Sequence, residues 1–312
     1  LAAEEQRKLG LHITALVRSP EKAEALFADM ACRDSLSFVC ADIRDTWTVE
    51  GPVDYILHAA AVTASGTMVK HPTDVIRCSL AGMEKVLELA RTKEVRKMIY
   101  LSSMEMYGNV GGTPADETAL GYLDLSQVRT CYPESKRMCE CMANAWASEF
   151  GVPVCSARLA QTFGPGVLRG ERRVFAQFAE SVIRGRDIVL RTEGRSEGNY
   201  CYTRDAMTAL LLMMALGKPG EAYNVANEET HMQIRDMAKL VAENVAGGRV
   251  CVRFDIPEKK ETLGYAADVR LTLCADKLRA LGWKPEVGLE EAYRRLIRDL
   301  QERNYFYEEA EQ

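Results

Sequence analysis

Short runs that are apolar along their whole length alternate with helical stretches through the first half of this chain, and that alternation restricts its fold more than any other feature. LHITALV (11–17), LSFVCAD (36–42), VDYILHAA (53–60), RKMIYLSS (96–103) and VPVCSARL (152–159) read as strands. EKAEALFADM (21–30), a stretch from Thr73 to Lys93 and another from Pro133 to Phe150 read as helices. A strand with one wet face alternates polar and apolar residues, whereas a strand covered on both faces need not. The expected fold is therefore α/β: a doubly wound parallel sheet with helices on both faces.

The helix after Tyr132 is clearly punctuated. Pro133 fits a first turn, where a missing N–H costs nothing, and Gly151 followed by Pro153 makes a stop. Met138, Cys141, Met142, Ala145 and Trp146 recur at spacings of three and four, so this stripe is expected to be buried against the sheet or a partner subunit. From about Phe163 the pattern loosens into a region rich in Gly, Arg and Tyr with short helices such as RDAMTALLLMMAL.

Composition narrows the class. The 312 residues, 47% hydrophobic and 27% charged, suffice for a full core. No apolar run approaches the roughly 20 residues of a membrane helix, and LAAEEQRKLG has neither the basic patch nor the apolar stretch of a signal peptide. The ten cysteines are scattered irregularly through apolar segments, as free thiols are in a reducing compartment, so the cytoplasm is expected and no metal site is. A net charge of −5 with interspersed signs and no basic tract argues against nucleic acid as a partner.

Dinucleotide-binding sheets of this kind open with a glycine-rich turn that lets a pyrophosphate approach a helix N-terminus. No such segment is present, and LHITALV then reads as the second strand of the sheet, with an upstream βα unit of roughly 25 to 35 residues expected before it.

The sharpest local signal is Tyr132-Pro-Glu-Ser-Lys136, with Ser102-Ser103 about thirty positions upstream at a strand end. Residues four apart on a helix share a face. A free phenol, with a pKa near ~10, is a poor base at neutral pH, but a neighbouring ammonium favours its phenolate. Tyr132 is thus a candidate proton acceptor, Ser103 a hydrogen-bond donor to the same oxygen, and Lys136 a support for both chemistry and cofactor.

At this point the sequence resembles the extended short-chain dehydrogenases/reductases, specifically the NAD-dependent epimerase/dehydratase branch that modifies nucleotide sugars. The likeness runs through ADIRD (41–45), DYILHAAA (54–61), LSSMEMYG (101–108), YPESK (132–136), ARLAQTFGPG (157–166), RVFAQF (173–178), EAYNVAN (221–227) and KLRALGWKP (277–285). It implies a Rossmann-type domain over residues 1–162 and a mixed α/β substrate-binding lobe over 163–312, with some interchange between them. It also implies Ser103, Tyr132, Lys136 and Glu105 in catalysis. Arg18, Asp42, Ile43, Ala59, Ala60, Ala61, Tyr132, Lys136 and Leu159 would meet the cofactor, and Gln161, Arg173, Val174, Tyr200 and Arg270 the substrate.

The implied reaction starts when Tyr132 takes a proton from a sugar hydroxyl, normally on C4, as hydride leaves the same carbon; the resulting ketone acidifies the neighbouring C–H. Glu105 resembles the extra carboxylate of dehydratases and decarboxylases, while Met104 stands where glucose-type 4,6-dehydratases carry Asp. Arg18, at the end of the second strand, stands where NAD users place an acid and suits a 2′-phosphate, so NAD and NADP both remain open. Gly198 replaces an Arg that many relatives direct at the substrate phosphates. The expected partners are a nucleotide-diphosphate sugar and a second copy of the chain. An NADP-dependent reductase of a small carbonyl compound and a non-enzymatic dinucleotide-binding sensor are the alternatives, since fold alone does not fix function.

Overall fold

The computed structural model of the chain describes residues 10–28, 30, 33–112, 114–168, 170–257 and 270–303. They divide into two compact units, one of residues 1–98 and 125–153, the other of 99–124 and 154–312. No single cut in the chain separates them: the chain leaves the first unit inside a strand, returns at Leu125 and leaves again after Pro153.

In the first unit, β1 (Ile13–Val17), α1 (Pro20–Phe27), β2 (Leu36–Cys40), β3 (Tyr55–His58), α2 (Ser65–Lys70) and α3 (Pro72–Thr92) follow one another. β1 and β2 pair in parallel, Ile13 opposite Leu36 through Val17 opposite Cys40. The Arg96 N–H donates to the Asp54 carbonyl (2.8 Å) just before β4 (Lys97–Ser103), the strand on which the chain passes into the second unit. Burial on both faces holds for β4 and for β5 (Val154–Leu159). It does not hold for β1 and β3, where Ile13, Tyr55 and Leu57 are exposed because no described element covers them.

α4 (Cys131–Phe150) starts two residues before the expected Pro133, directly after a 3₁₀ turn at Val128–Thr130, so Pro133 still lies among the first four residues, whose N–H groups have no intrahelical acceptor. Gly151 ends it in the left-handed conformation (φ 69°), which only a residue without Cβ adopts cheaply, and its N–H returns to the Trp146 carbonyl. The expected apolar stripe is not the face buried within this unit. Met138, Cys141 and Ala145 are exposed and Met142 and Trp146 half-buried, whereas Tyr132, Ser135, Lys136, Cys139, Glu140 and Ala143 are buried. The reason is packing. Ser135, Cys139 and Ala143 form a row of small residues at i, i+4 and i+8 against α3, where Val75, Ser79, Gly82, Met83 and Val86 are buried, and the Cys139 thiol donates to the Ser79 carbonyl (3.5 Å). Hydrophobicity alone mislabels a face on which small size, not apolarity, permits close approach.

The second unit holds the sheet order β4-β5-β9, with β9 (Ala222–Val225) parallel to β5 and Arg158 opposite Asn224. β6 (Gln161–Phe163) lies parallel to β8 (Glu197–Tyr202), which pairs antiparallel with β10 (Asn227–Gln233). A third sheet pairs β7 (Ile188–Leu190) with β11 (Val252–Phe254). Around them pack α5 (Val174–Arg184), α6 (Thr203–Leu216), α7 (Ile234–Leu240), α8 (Asp276–Arg279) and α9 (Leu289–Glu302). One core gathers Phe163, Phe175, Tyr200, Tyr293 and Leu296, with Phe163 stacked on Phe175 at 4.8 Å; another gathers Ile99, Cys155, Met213, Tyr223 and Trp283. The architecture is thus the α/β one, with parallel strand pairs in each unit. No described helix is long and apolar enough to cross a membrane.

Candidate active site

Each unit carries its own set of candidate residues. In the first, Tyr132 and Lys136 lie one turn apart on the buried face of α4, 7% and 4% exposed. The Lys136 ammonium sits 5.7 Å from the centroid of the Tyr132 ring. Burial pushes the Lys136 pKa down to about 8, against the opposing pull of Cys139, Glu140 and Cys78. The ammonium therefore still predominates at neutral pH. Behind it, at the end of β3, His58 is 5% exposed; burial first, and the Lys136 charge second, push its pKa down to about 3. His58 is neutral throughout the physiological range.

At the end of β2, Asp42 accepts from the Arg44 backbone N–H (2.9 Å) and from two nitrogens of its guanidinium (2.8 and 3.0 Å). These bonds, with smaller contributions from the Arg44 and Arg18 charges, pull its carboxyl down to about 2. Arg18 is exposed at the end of β1. Ile43 is buried against Gly82 of α3: a Cβ at position 82 would lie 3.1 Å from an Ile43 methyl, so glycine there sets how closely the two segments approach. Ala59 and Ala60, beyond β3, are exposed, and Ala61 is half-buried. Cys78 on α3 interacts electrostatically with Asp42, Arg44, Arg18 and Lys136, which brings the strand-end group and the helix group around one position. Neither Arg44, His58 nor Glu140 was singled out from the sequence. For His58 the available signal was a lone imidazole ending an apolar strand just before three alanines.

In the second unit, β4 ends at Ser103, whose Oγ accepts from the Glu105 N–H (3.2 Å) and so caps a 3₁₀ turn, Met104–Tyr107. The hydroxyl hydrogen of Ser103 is left to donate elsewhere. Ser103 and Glu105 are half-buried and Met104 is buried. Leu159 ends β5, and Gln161 on β6 lies opposite Tyr200 on β8. Tyr200 is 6% exposed, and burial pushes its hydroxyl up to about 12, so it acts there as a neutral hydrogen-bonding group. Arg173, exposed and paired with Glu171, lies over the Phe175 ring at 4.8 Å beside the half-buried Val174. Arg270 is exposed and bridges to Glu197, next to Gly198, around which the Met104 methyl and the Leu271 carbonyl approach.

Comparison with known proteins supplies what geometry alone does not. The model of the NAD dependent epimerase/dehydratase family matches residues 3–226. UDP-glucuronic acid decarboxylase 6 of Arabidopsis thaliana is 26% identical over 285 residues, covering 84% of this chain and 82% of that protein. dTDP-D-glucose 4,6-dehydratase of Bos taurus is 24% identical over 287 residues, 89% of this chain and 78% of that protein. Among solved structures, the UDP-glucose 4-epimerase of Thermus thermophilus, in complex with NAD, is similar with a TM-score of 0.71 at 25% identity, over 93% of this chain and 99% of that one.

Proposed function

This chain belongs to the NAD dependent epimerase/dehydratase family, and from that premise we propose that it remodels a nucleotide-diphosphate sugar through a transient keto-sugar, with NAD or NADP bound. The observation that carries this reading is the Tyr132–Lys136 pair, held on the buried face of α4 with the ammonium against the phenol ring. The phenolate form of Tyr132 accepts the proton of a sugar hydroxyl while the carbon beneath loses hydride, and the C–O bond becomes a carbonyl. Lys136, charged at neutral pH, stabilises that phenolate. Ser103 Oγ, already accepting from the Glu105 N–H, is assigned as a hydrogen-bond donor to the substrate. The bound dinucleotide supplies the hydride acceptor.

The residues that suit that dinucleotide are Ala59 and Ala60, exposed and with methyl-only side chains that leave the backbone beyond β3 open; Ile43, buried against Gly82, and the Lys136 ammonium are assigned to it as well. Three of the Asp42 acceptor sites are taken by Arg44, which leaves this carboxylate a limited role toward an adenine. Arg18 is the cation available to a 2′-phosphate. Gln161, Arg173, Val174, Tyr200 and Arg270 are assigned to the sugar nucleotide. Glu105, half-buried two residues past Ser103, favours loss of water or carbon dioxide over epimerisation, in keeping with the decarboxylase and dehydratase among the relatives. The exposed Met138, Cys141 and Ala145 face of α4 is assigned to a homodimer contact.

The test is incubation of the protein with uridine-, thymidine-, guanosine- and cytidine-diphospho sugars plus NAD or NADP, read by mass spectrometry. Loss of water or carbon dioxide from one sugar supports the dehydratase or decarboxylase reading. A product of unchanged mass and altered retention means epimerisation. No product from any sugar while the dinucleotide is bound refutes the proposal.

A further inference from the structure

One buried polar cluster in the second unit lies outside every role assigned above. Tyr107 is wholly buried at the end of the 3₁₀ turn that begins after Ser103. Its hydroxyl donates to Asn224 Oδ1 (2.7 Å) and accepts from Arg158 Nη1 (2.9 Å). Arg158 on β5 and Asn224 on β9 are register partners, so their side chains leave the sheet on one face. The Arg158 guanidinium also lies over the Tyr107 ring (5.0 Å) and donates to the Glu117 carbonyl (2.8 Å). Asn224 Nδ2 donates to the carbonyls of Ala115 (3.0 Å) and Cys274 (2.9 Å), and its backbone N–H donates to Glu117 Oε1 (2.7 Å). The Tyr107 carbonyl is held in turn by the Gly121 N–H (2.8 Å).

Such an arrangement exceeds what filling a core requires. A Phe at 107 and apolar residues at 158 and 224 would bury the same area without desolvating a guanidinium and an amide, which is costly unless every group is paired. What the polar version adds is direction. Hydrogen bonds fix Tyr107 along and across the sheet, and Tyr107 closes the single turn that carries Ser103 and Glu105.

We propose that Tyr107, Arg158 and Asn224 are positioning residues that set the placement of the Ser103–Glu105 turn on the sheet. The proposal rests on the role given to Ser103 and Glu105 above. Groups that act on a reacting bond must be held to a fraction of an ångström, and a displacement of about 1 Å costs up to ~10²-fold in rate.

The test compares the whole protein with Tyr107→Phe, which keeps the ring, and with Arg158→Lys, which keeps the charge but loses the fork. Ile297→Val, in the distant core of α9, serves as a control for lost stability alone. Two readouts are taken: hydrogen exchange of the amides of residues 104–108 and 115–118, and kcat and KM on the sugar nucleotide that the protein turns over. Expected are exchange faster by about tenfold in both segments in either cluster variant, and a kcat lower by about tenfold or more with KM unchanged; the control alters neither. Unchanged exchange overturns the proposal, and so does faster exchange with kcat intact. If the unsubstituted protein turns over no sugar nucleotide, the functional reading falls instead, and exchange alone decides whether the cluster holds the turn.

Discussion

His58 makes a prediction whose size follows from its surroundings. It is 5% exposed, and burial together with the nearby Lys136 charge pushes its pKa from the ordinary 6.5 to about 3. Between those values the unfolded chain binds a proton at this imidazole and the folded chain does not. Stability from His58 is therefore complete above pH 6.5 and lost as pH falls toward 3. The full difference is about 5 kcal/mol, and about 2 kcal/mol is already gone at pH 5. Lys136, with its pKa lowered to about 8, is charged from pH 6.5 down to 3 and adds only about 0.2 kcal/mol, in the same direction, between pH 7.5 and 6.5. Urea unfolding at pH 7.5 and pH 5, on the unsubstituted protein and on His58→Gln, isolates the imidazole from the carboxylates that titrate in both. The unsubstituted protein should lose about 2 kcal/mol more than the variant. Equal losses would refute the reasoning, because they would mean that the imidazole is protonated alike in the folded and unfolded chains.

Three further outcomes follow from single contacts. The Tyr293 hydroxyl is fully buried without a hydrogen-bond partner, so Tyr293→Phe should leave the melting temperature unchanged or raise it, with a gain of up to about 1 kcal/mol; a loss above that would show a partner. Asp205, 2% exposed, accepts from the N–H groups of Glu286 (2.9 Å) and Val287 (2.8 Å), and Asp205→Ala should cost about 3 kcal/mol in urea unfolding by leaving both donors unmet. If Arg18 meets a 2′-phosphate, Arg18→Ala should weaken NADP about tenfold and NAD little in calorimetric titrations; an unchanged ratio removes that role.

The parts legible in the sequence were those that a local rule decides. The strands from 11 to 159 were visible as apolar runs, and Gly151 as a helix stop, because periodicity and the left-handed cap act within a few residues. The family model matches residues 3–226, which include the motifs from ADIRD (41–45) through RVFAQF (173–178). The buried side of α4 was not legible, because Ser135, Cys139 and Ala143 are buried for their size against α3, and pairwise helix packing leaves no mark in a hydrophobic pattern. His58 and Glu140 escaped for a related reason: each looks like an isolated polar residue until the fold buries it beside Lys136. The Tyr107–Arg158–Asn224 cluster joins residues more than fifty positions apart, and in the sequence they stand in separate motifs with nothing to link them. The open sides of β1 and β3 ran against the rule that such strands are covered on both faces, a rule that assumes neighbours the strand itself does not encode.

The most direct test of the account is the rate of sugar-nucleotide conversion by Tyr132→Phe beside the unsubstituted protein, with binding of the same sugar nucleotide measured by calorimetry on both. The variant keeps the ring that packs under Lys136 and loses only the group that takes the proton. The account predicts conversion lowered by about 10²- to 10⁴-fold with sugar-nucleotide affinity unchanged. Conversion at the full rate in Tyr132→Phe would contradict it.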